Sequence, residues 1–263
     1  MKILLIIFLL FNISCVKDRD SLIEDRNSSK KLESKEKTKK RVNSHINLAI
    51  DALKKRDYPS AYENLFKAQK IDDQNEKIYN ILGLTYLYDG KNSLAIKNLK
   101  KAISLRKDYS EAHLHLGIAY GELTQYDNAI KEFKKALNNI FYKTPWNAYT
   151  NLGKTYFLTK DYENAIKTLN RSLSKNSAQC IPYDILSEIY SELQNIEESE
   201  FNFKEALKYC NNKSFIYKKR ALFFLSLKKE KEALNDFENC LKYLSVKDRK
   251  LKKECNRYIE LIR

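Results

Sequence analysis

The sequence predicts an all-helical fold of repeated helix pairs, on three observations. Small residues return at a near-constant interval through six segments. Glycine and proline are scarce, 5 and 3 in 263 residues, as long helices require. No stretch alternates apolar and polar residues between turn signals in the manner of a strand.

The repeat is read most directly from its small side chains. Ala61, Ala95, Ala129, Ala165, Ser199 and Ala233 are separated by 34, 34, 36, 34 and 34 residues. Seven residues after each stands Ala68, Ala102, Ala136, Ser172, Ala206 or Cys240, and twelve before each Ala49, Gly83, Gly117, Gly153, Ser187 or Ala221. Large side chains accompany them: Leu65, Leu99, Phe133, Leu169, Phe203 and Phe237 in one column, and, after Ala52 in the first copy, Tyr86, Tyr120, Tyr156, Tyr190 and Phe224 in another. Antiparallel helices approach closely only where side chains are small, and large neighbours fill the space beside the contact. Each copy therefore predicts one helix-turn-helix unit, six of them over residues 42–247.

The punctuation agrees. Asp57, Asp161 and Asn195 stand where the second helix of their repeats needs an N-cap. Pro59 and Pro182 fall in a first helical turn, and Pro145 just before one. Gly90 lies between the two helices of its repeat, as a C-terminal stop.

The segment from Glu76 to Tyr109 carries Tyr79, Leu82-Gly83, Tyr86, Gly90, Ala95, Leu99 and Ala102, and in this spacing it resembles the 34-residue tetratricopeptide repeat. Lys107 stands where that family places a proline. The resemblance covers about residues 42–244 and implies a right-handed superhelical solenoid whose first helices line a concave groove for other proteins or peptides. Carried onto this chain, the groove positions of the early repeats are Ile46, Ile50, Leu53, Leu84, Leu87, Tyr88, Leu114 and Ile118, an expected apolar docking surface. In the fifth repeat Asp184, Glu188 and Glu192 form an acidic stripe. Like charges at this spacing repel, so either Lys154 and Lys218 at groove positions of the flanking repeats offset them or a basic peptide does. The positions of a carboxylate clamp for chaperone tails hold Ile46, Ile50, Ile81, Glu111 and His115, which do not match it.

The two ends read differently from the array. Lys2 precedes an apolar run, Ile3 to Phe11, too short to span a bilayer and fitting a signal peptide. Ser14-Cys15 resembles a bacterial lipobox, which implies an exported lipoprotein acylated at Cys15, on the inner or outer membrane and facing the periplasm or the cell surface. Residues 16–41 are polar and basic and read as a flexible charged tether. At the other end Leu251, Cys255, Tyr258, Ile259 and Ile262 recur at helical spacing, so residues 248–263 read as an amphipathic helix capping the last repeat.

Four further cysteines, Cys180, Cys210, Cys240 and Cys255, allow three pairings; helix topology brings Cys180 near Cys210 and Cys240 near Cys255, while the alternative is four reduced core residues. The chain contains no phosphate-cradling glycine loop, paired-histidine zinc motif or nucleophile elbow, so neither cofactor, metal site nor enzymatic activity is expected. His113 and His115 point to different sides of one helix; His45 and His113 share the column of Tyr79 and Tyr149 and read as wall residues. The expected role is a membrane-anchored protein-binding scaffold, its plan similar to the type IV pilus lipoproteins of six such repeats. A lipid or small-molecule carrier is the alternative. A net charge of +15 keeps an RNA or polyanion binder as a third reading, against which the signal segment and the acidic stripe both count.

Overall fold

The computed structural model describes residues 31–210, 212–245 and 248–263. The expected signal segment, the lipobox cysteine Cys15 and the first half of the tether lie outside them. There are thirteen helices and no strand among the described residues, and no described helix is long and apolar enough to cross a membrane. The chain divides after Leu105 into two compact units.

The first unit holds α1 (residues 31–54), α2 (Tyr58–Ile71), α3 (Glu76–Tyr88) and α4 (Asn92–Leu105). The second, from Arg106 onward, pairs α5 (Ser110–Glu122) with α6 (Tyr126–Leu137), α7 (Pro145–Leu158) with α8 (Tyr162–Lys175), α9 (Cys180–Glu192) with α10 (Ile196–Tyr209), and α11 (Lys213–Ser226) with α12 (Glu230–Lys242). It ends in α13 (Arg249–Ile262). Pro145 opens α7 as its first residue, so that helix begins one residue earlier than expected, at a place where the missing N–H costs nothing.

One difference from expectation concerns residues 31–41. They are helical, the leading turns of α1, with every side chain exposed. A lack of apolar residues rules out a core but not a helix: lysine and glutamate are good helix formers, and Glu36 and Lys40 form an i,i+4 ion pair at 4.0 Å.

Within each pair the small-residue columns are the contact. Ala61, Ala95, Ala129, Ala165 and Ala233 are fully buried, as are Ala68, Ala102, Ala136, Ala206 and Cys240. A Cβ built on Gly83 would collide with Leu99, one on Gly117 with the Phe133 ring, and one on Gly153 would stand 2.6 Å from Leu169 Cγ. Where serine replaces alanine, it finds an acceptor: the Ser199 hydroxyl donates to the Ser187 carbonyl at 2.9 Å across the pair. At the far end α13 buries Cys255 and Ile259, and Tyr258 stacks on Phe237 with ring centroids 4.9 Å apart. The structure joins Cys180 to Cys210 and Cys240 to Cys255 in disulfides, so each closes one helix against its neighbour.

All six turns inside the pairs use one device. A single residue in the left-handed region ends the first helix: Arg56, Gly90, Thr124, Lys160, Gln194 and Lys228, at φ 57° to 74°. The following N–H reaches back to the carbonyl five residues earlier, as from Lys91 to Tyr86 at 2.8 Å and from Gln125 to Tyr120 at 2.9 Å, which is the Schellman arrangement. In three of the turns that same following residue caps the next helix; the side chains of Asp57, Asp161 and Asn195 accept from Ser60, Asn164 and Glu198 N–H groups. Five of the six left-handed positions carry a side chain that strains there, and only Gly90 does not.

Thr124, β-branched, is the worst fitted. Thr124→Gly is expected to stabilise the protein by roughly 0.5–1 kcal/mol and Gly90→Val to destabilise it by about 1 kcal/mol or more, measured by urea unfolding.

Candidate partner-binding surfaces

In the first unit, α1, the turn after it, and α3 enclose a cleft of about 600 Å³ lined by Ile50, Leu53, Lys54, Arg56, Tyr58, Ile81, Leu84 and Tyr88. Its floor is aliphatic and its rim carries the two cations. Ile50 and Leu84 fall together here because they hold the same position in successive first helices. Tyr88 at the end of α3 is 62% exposed, and Leu87 beside it is half-buried. The cleft is therefore apolar surface left open to solvent on a rigid helical frame, the feature that marks docking sites.

The apolar surface is smaller than the sequence suggested. Ile46 and Leu114 are buried rather than solvent-facing, and Leu53, though it lines the cleft, is only 9% exposed. Leu114 packs in the core with Phe133, Ala148 and Leu152, so the next first helix, α7, covers it; Ile118 is half-buried against the same cluster. Position in a repeat decides which way a side chain points, but the neighbouring pair decides how much of it stays wet.

The acidic stripe of α9 is engaged within the chain, through a different lysine than expected. Lys219 Nζ lies 2.7 and 2.8 Å from the two carboxylate oxygens of Asp184 and also contacts Glu188. Lys218 instead pairs with Glu254 on the capping helix. Tyr162 donates to Glu192, and that carboxylate pushes the exposed phenol's pKa up. Lys154 is exposed. The small cleft beside the stripe, about 290 Å³, is lined by Glu188, Glu192, Lys219, Leu222 and Phe223 among others.

Two buried ionic contacts were not anticipated. His113 sits with Nδ1 2.6 Å from Glu132 Oε2 and Nε2 3.0 Å from the Lys107 carbonyl, and Lys135 reaches the other Glu132 oxygen at 2.7 Å. Arg220 grips Asp236, only 1% exposed, through two bonds of 2.6 and 2.8 Å. Glu132 and Asp236 occupy one repeat column, shared with Asn64, Asn98, Thr168 and Asn202. That all-polar column, at a position flanked by core residues, was the available signal. His113 does act as a wall residue, its Nε2 contact to a loop carbonyl matching the bond from Tyr79 to Asp73 at 3.0 Å. No group of three or more metal-binding side chains converges among the described residues.

Comparison with known proteins matches this geometry. A family model described as TPR repeat fits residues 83–124, and one described as tetratricopeptide repeat fits 110–139, 147–177 and 182–213. Between residues 83 and 213 the chain therefore carries tetratricopeptide repeats, in sequence as in helix-pair geometry, a repeat of the kind found in proteins that bind other proteins or peptides. Its fold is similar to that of Pseudomonas aeruginosa PilF, at 15% identity and a TM-score of 0.72 over 82% of this chain and 99% of that one. It is likewise similar to PilW, described as a widely conserved type IV pilus biogenesis factor, at 20% identity and 0.72 over 81% and 97%. YrrB, described as a TPR protein with an unusual peptide-binding site, matches at 14% identity and 0.54 over 73% and 97%.

The buried Glu132 sets a pH limit. Burial pushes its carboxyl pKa up, but the bonds from His113 and Lys135 outweigh burial and hold it below the ordinary carboxylate value. A carboxylate with a depressed folded-state pKa stabilises the fold above its unfolded value, about 4.3, and that stability is lost as pH falls through the folded value. Glu132→Gln is therefore expected to flatten the loss of stability on acidification below about pH 4.3, read as urea midpoint against pH.

Proposed function

We propose that this chain is a protein-binding adaptor of the bacterial cell envelope, held at a membrane through an acylated Cys15 and engaging a peptide or helix in the cleft of its first unit. The observation that carries the reading is the open apolar cleft over Ile50, Ile81, Leu84 and Tyr88, with Lys54 and Arg56 at its rim. An amphipathic segment of a partner would lay its apolar face on these side chains, and acidic groups beside it would meet the two cations. The signal-like run before Cys15 supports export, and two disulfides suit an oxidising compartment. The likeness to PilW supports assembly of pilus, secretin or another outer-membrane complex as the process served.

A carrier of lipid or a small apolar molecule is the second reading. The cleft's 600 Å³ lies in the size range of small-molecule sites. Native mass spectrometry of the purified protein separates the two, since a carrier retains a ligand.

A photocrosslinking amino acid at position 88, in cells, is expected to capture one or a few proteins, and Leu84→Glu to abolish the capture. For the recovered partner, Tyr88→Ala is expected to weaken binding about tenfold or more, as loss of an aromatic anchor does. Crosslinks unaffected by Leu84→Glu would contradict the cleft. Cys15→Ser is expected to move the chain out of the membrane fraction; an unchanged distribution would contradict the anchor but not the cleft.

A further inference from the structure

We infer that the α6–α7 loop is a second membrane contact, in which Ile140 and Phe141 enter the interface of an anionic bilayer. At 87% and 83% exposed, these two stand further into solvent than Leu32 and Leu261, each at 70%. They arise from the one irregular interval of the repeat, 36 residues where the others are 34. The loop runs from residue 138 to 144, seven residues, against four between α8 and α9. The additional length carries the pair beyond the helix ends.

The tip is held out rather than loose. Asn139 ties its base, donating through Nδ2 to the Asp108 carbonyl at 3.1 Å and accepting the Phe141 N–H on Oδ1 at 2.9 Å. Immediately after the pair, Tyr142 is buried in the core cluster with Phe133 and Leu152. A buried tyrosine on one side and a bonded asparagine on the other leave Ile140 and Phe141 no path back to the core, although burying them would be favourable.

Charge selects the occupant. Lys143 adjoins the pair and is exposed, and Lys107 and Lys134, also exposed, belong to the segments that frame the loop; Lys135 is taken up by Glu132, and Asp108 and Glu111 are the acidic residues nearby. Apolar side chains flanked by lysines suit a bilayer interface, where the chains reach the acyl boundary and the ammonium groups lie among anionic headgroups. A second copy of this chain is disfavoured as the occupant, because its apolar cleft carries Lys54 and Arg56 at the rim and would repel the same lysines. The inference does not depend on Cys15: it concerns a site more than a hundred residues away.

The test uses the full chain with Phe141→Trp and Trp146→Phe, which leaves one tryptophan at the tip because the chain has only one of its own. Position 141 is exposed, so the fold is retained, and circular dichroism checks this. The probe is mixed with vesicles of phosphatidylcholine, with or without phosphatidylglycerol, whose acyl chains carry bromine as a quencher. Emission is expected to shift to shorter wavelength and be quenched in the anionic vesicles, and much less in the neutral ones. Lys143→Ala is expected to weaken the insertion about fivefold, the contribution of one lysine near an anionic surface. An unshifted, unquenched probe on a chain that sediments with the vesicles would overturn the proposal. So would a shift without lipid that grows with protein concentration, which would give the loop to a second copy.

Discussion

The close approach of two helices at a residue with little or no side chain is the contact on which the rest of this structure depends. At Gly83, Gly117 and Gly153 the partner helix delivers Leu99, Phe133 or Leu169 into the volume where a Cβ would stand. At the equivalent place elsewhere Ala49, Ser187 or Ala221 faces Leu65, Phe203 or Phe237, and every one of these is buried. The large side chain fills the space the small one vacates, so the pair is dense without bulk at the crossing. A one-residue left-handed turn then returns the chain in a fixed direction, and in three of the six turns the residue after it caps the next helix. Close packing and turn together define a unit that repeats.

From that unit the surfaces follow. First helices side by side bury part of what they present, as Leu114 shows, and leave the remainder as the cleft over Ile50 and Leu84. Charges placed on the same face settle among themselves where a partner is in reach: Lys219 serves Asp184 and Glu188, and Arg220 serves Asp236. The exposed surface left over is apolar and basic in two places, the cleft with Lys54 and Arg56 beside it in one unit and the α6–α7 tip in the other. Both belong to a chain of net charge +15.

Much of the fold was legible because its determinants are local and recur six times. Gly83, Ala95 and Leu99 define a contact that any copy repeats, and the N-caps at Asp57, Asp161 and Asn195 need only the residue and its place. The site was less legible, for physical reasons. Whether Ile46 or Leu114 stays wet depends on a neighbouring helix that the repeat pattern does not describe. Lys218 and Lys219 differ by one residue and about 100° of helix, and a carry-over by position chose the one that turns toward Glu254. Residues 31–41 lack a core face, which tells against burial and reads as a flexible tether, but does not tell against helix. Ile140 and Phe141 left a trace in the 36-residue interval, but the spacing says only that a loop is long, not that its tip is apolar and held away from the core.

The central claim is that a missing side chain on one helix and a large one on its partner act as a single packed contact. A double-mutant cycle between Gly117→Leu and Phe133→Ala, followed by urea unfolding, tests it most directly. Gly117→Leu alone is expected to cost about 1–3 kcal/mol or more by overpacking, and Phe133→Ala alone about 3–5 kcal/mol by opening a cavity. Together the leucine should occupy part of the space the ring leaves, so the double variant should be less destabilised than the sum by about 1 kcal/mol or more. Strict additivity of the two losses would contradict the account.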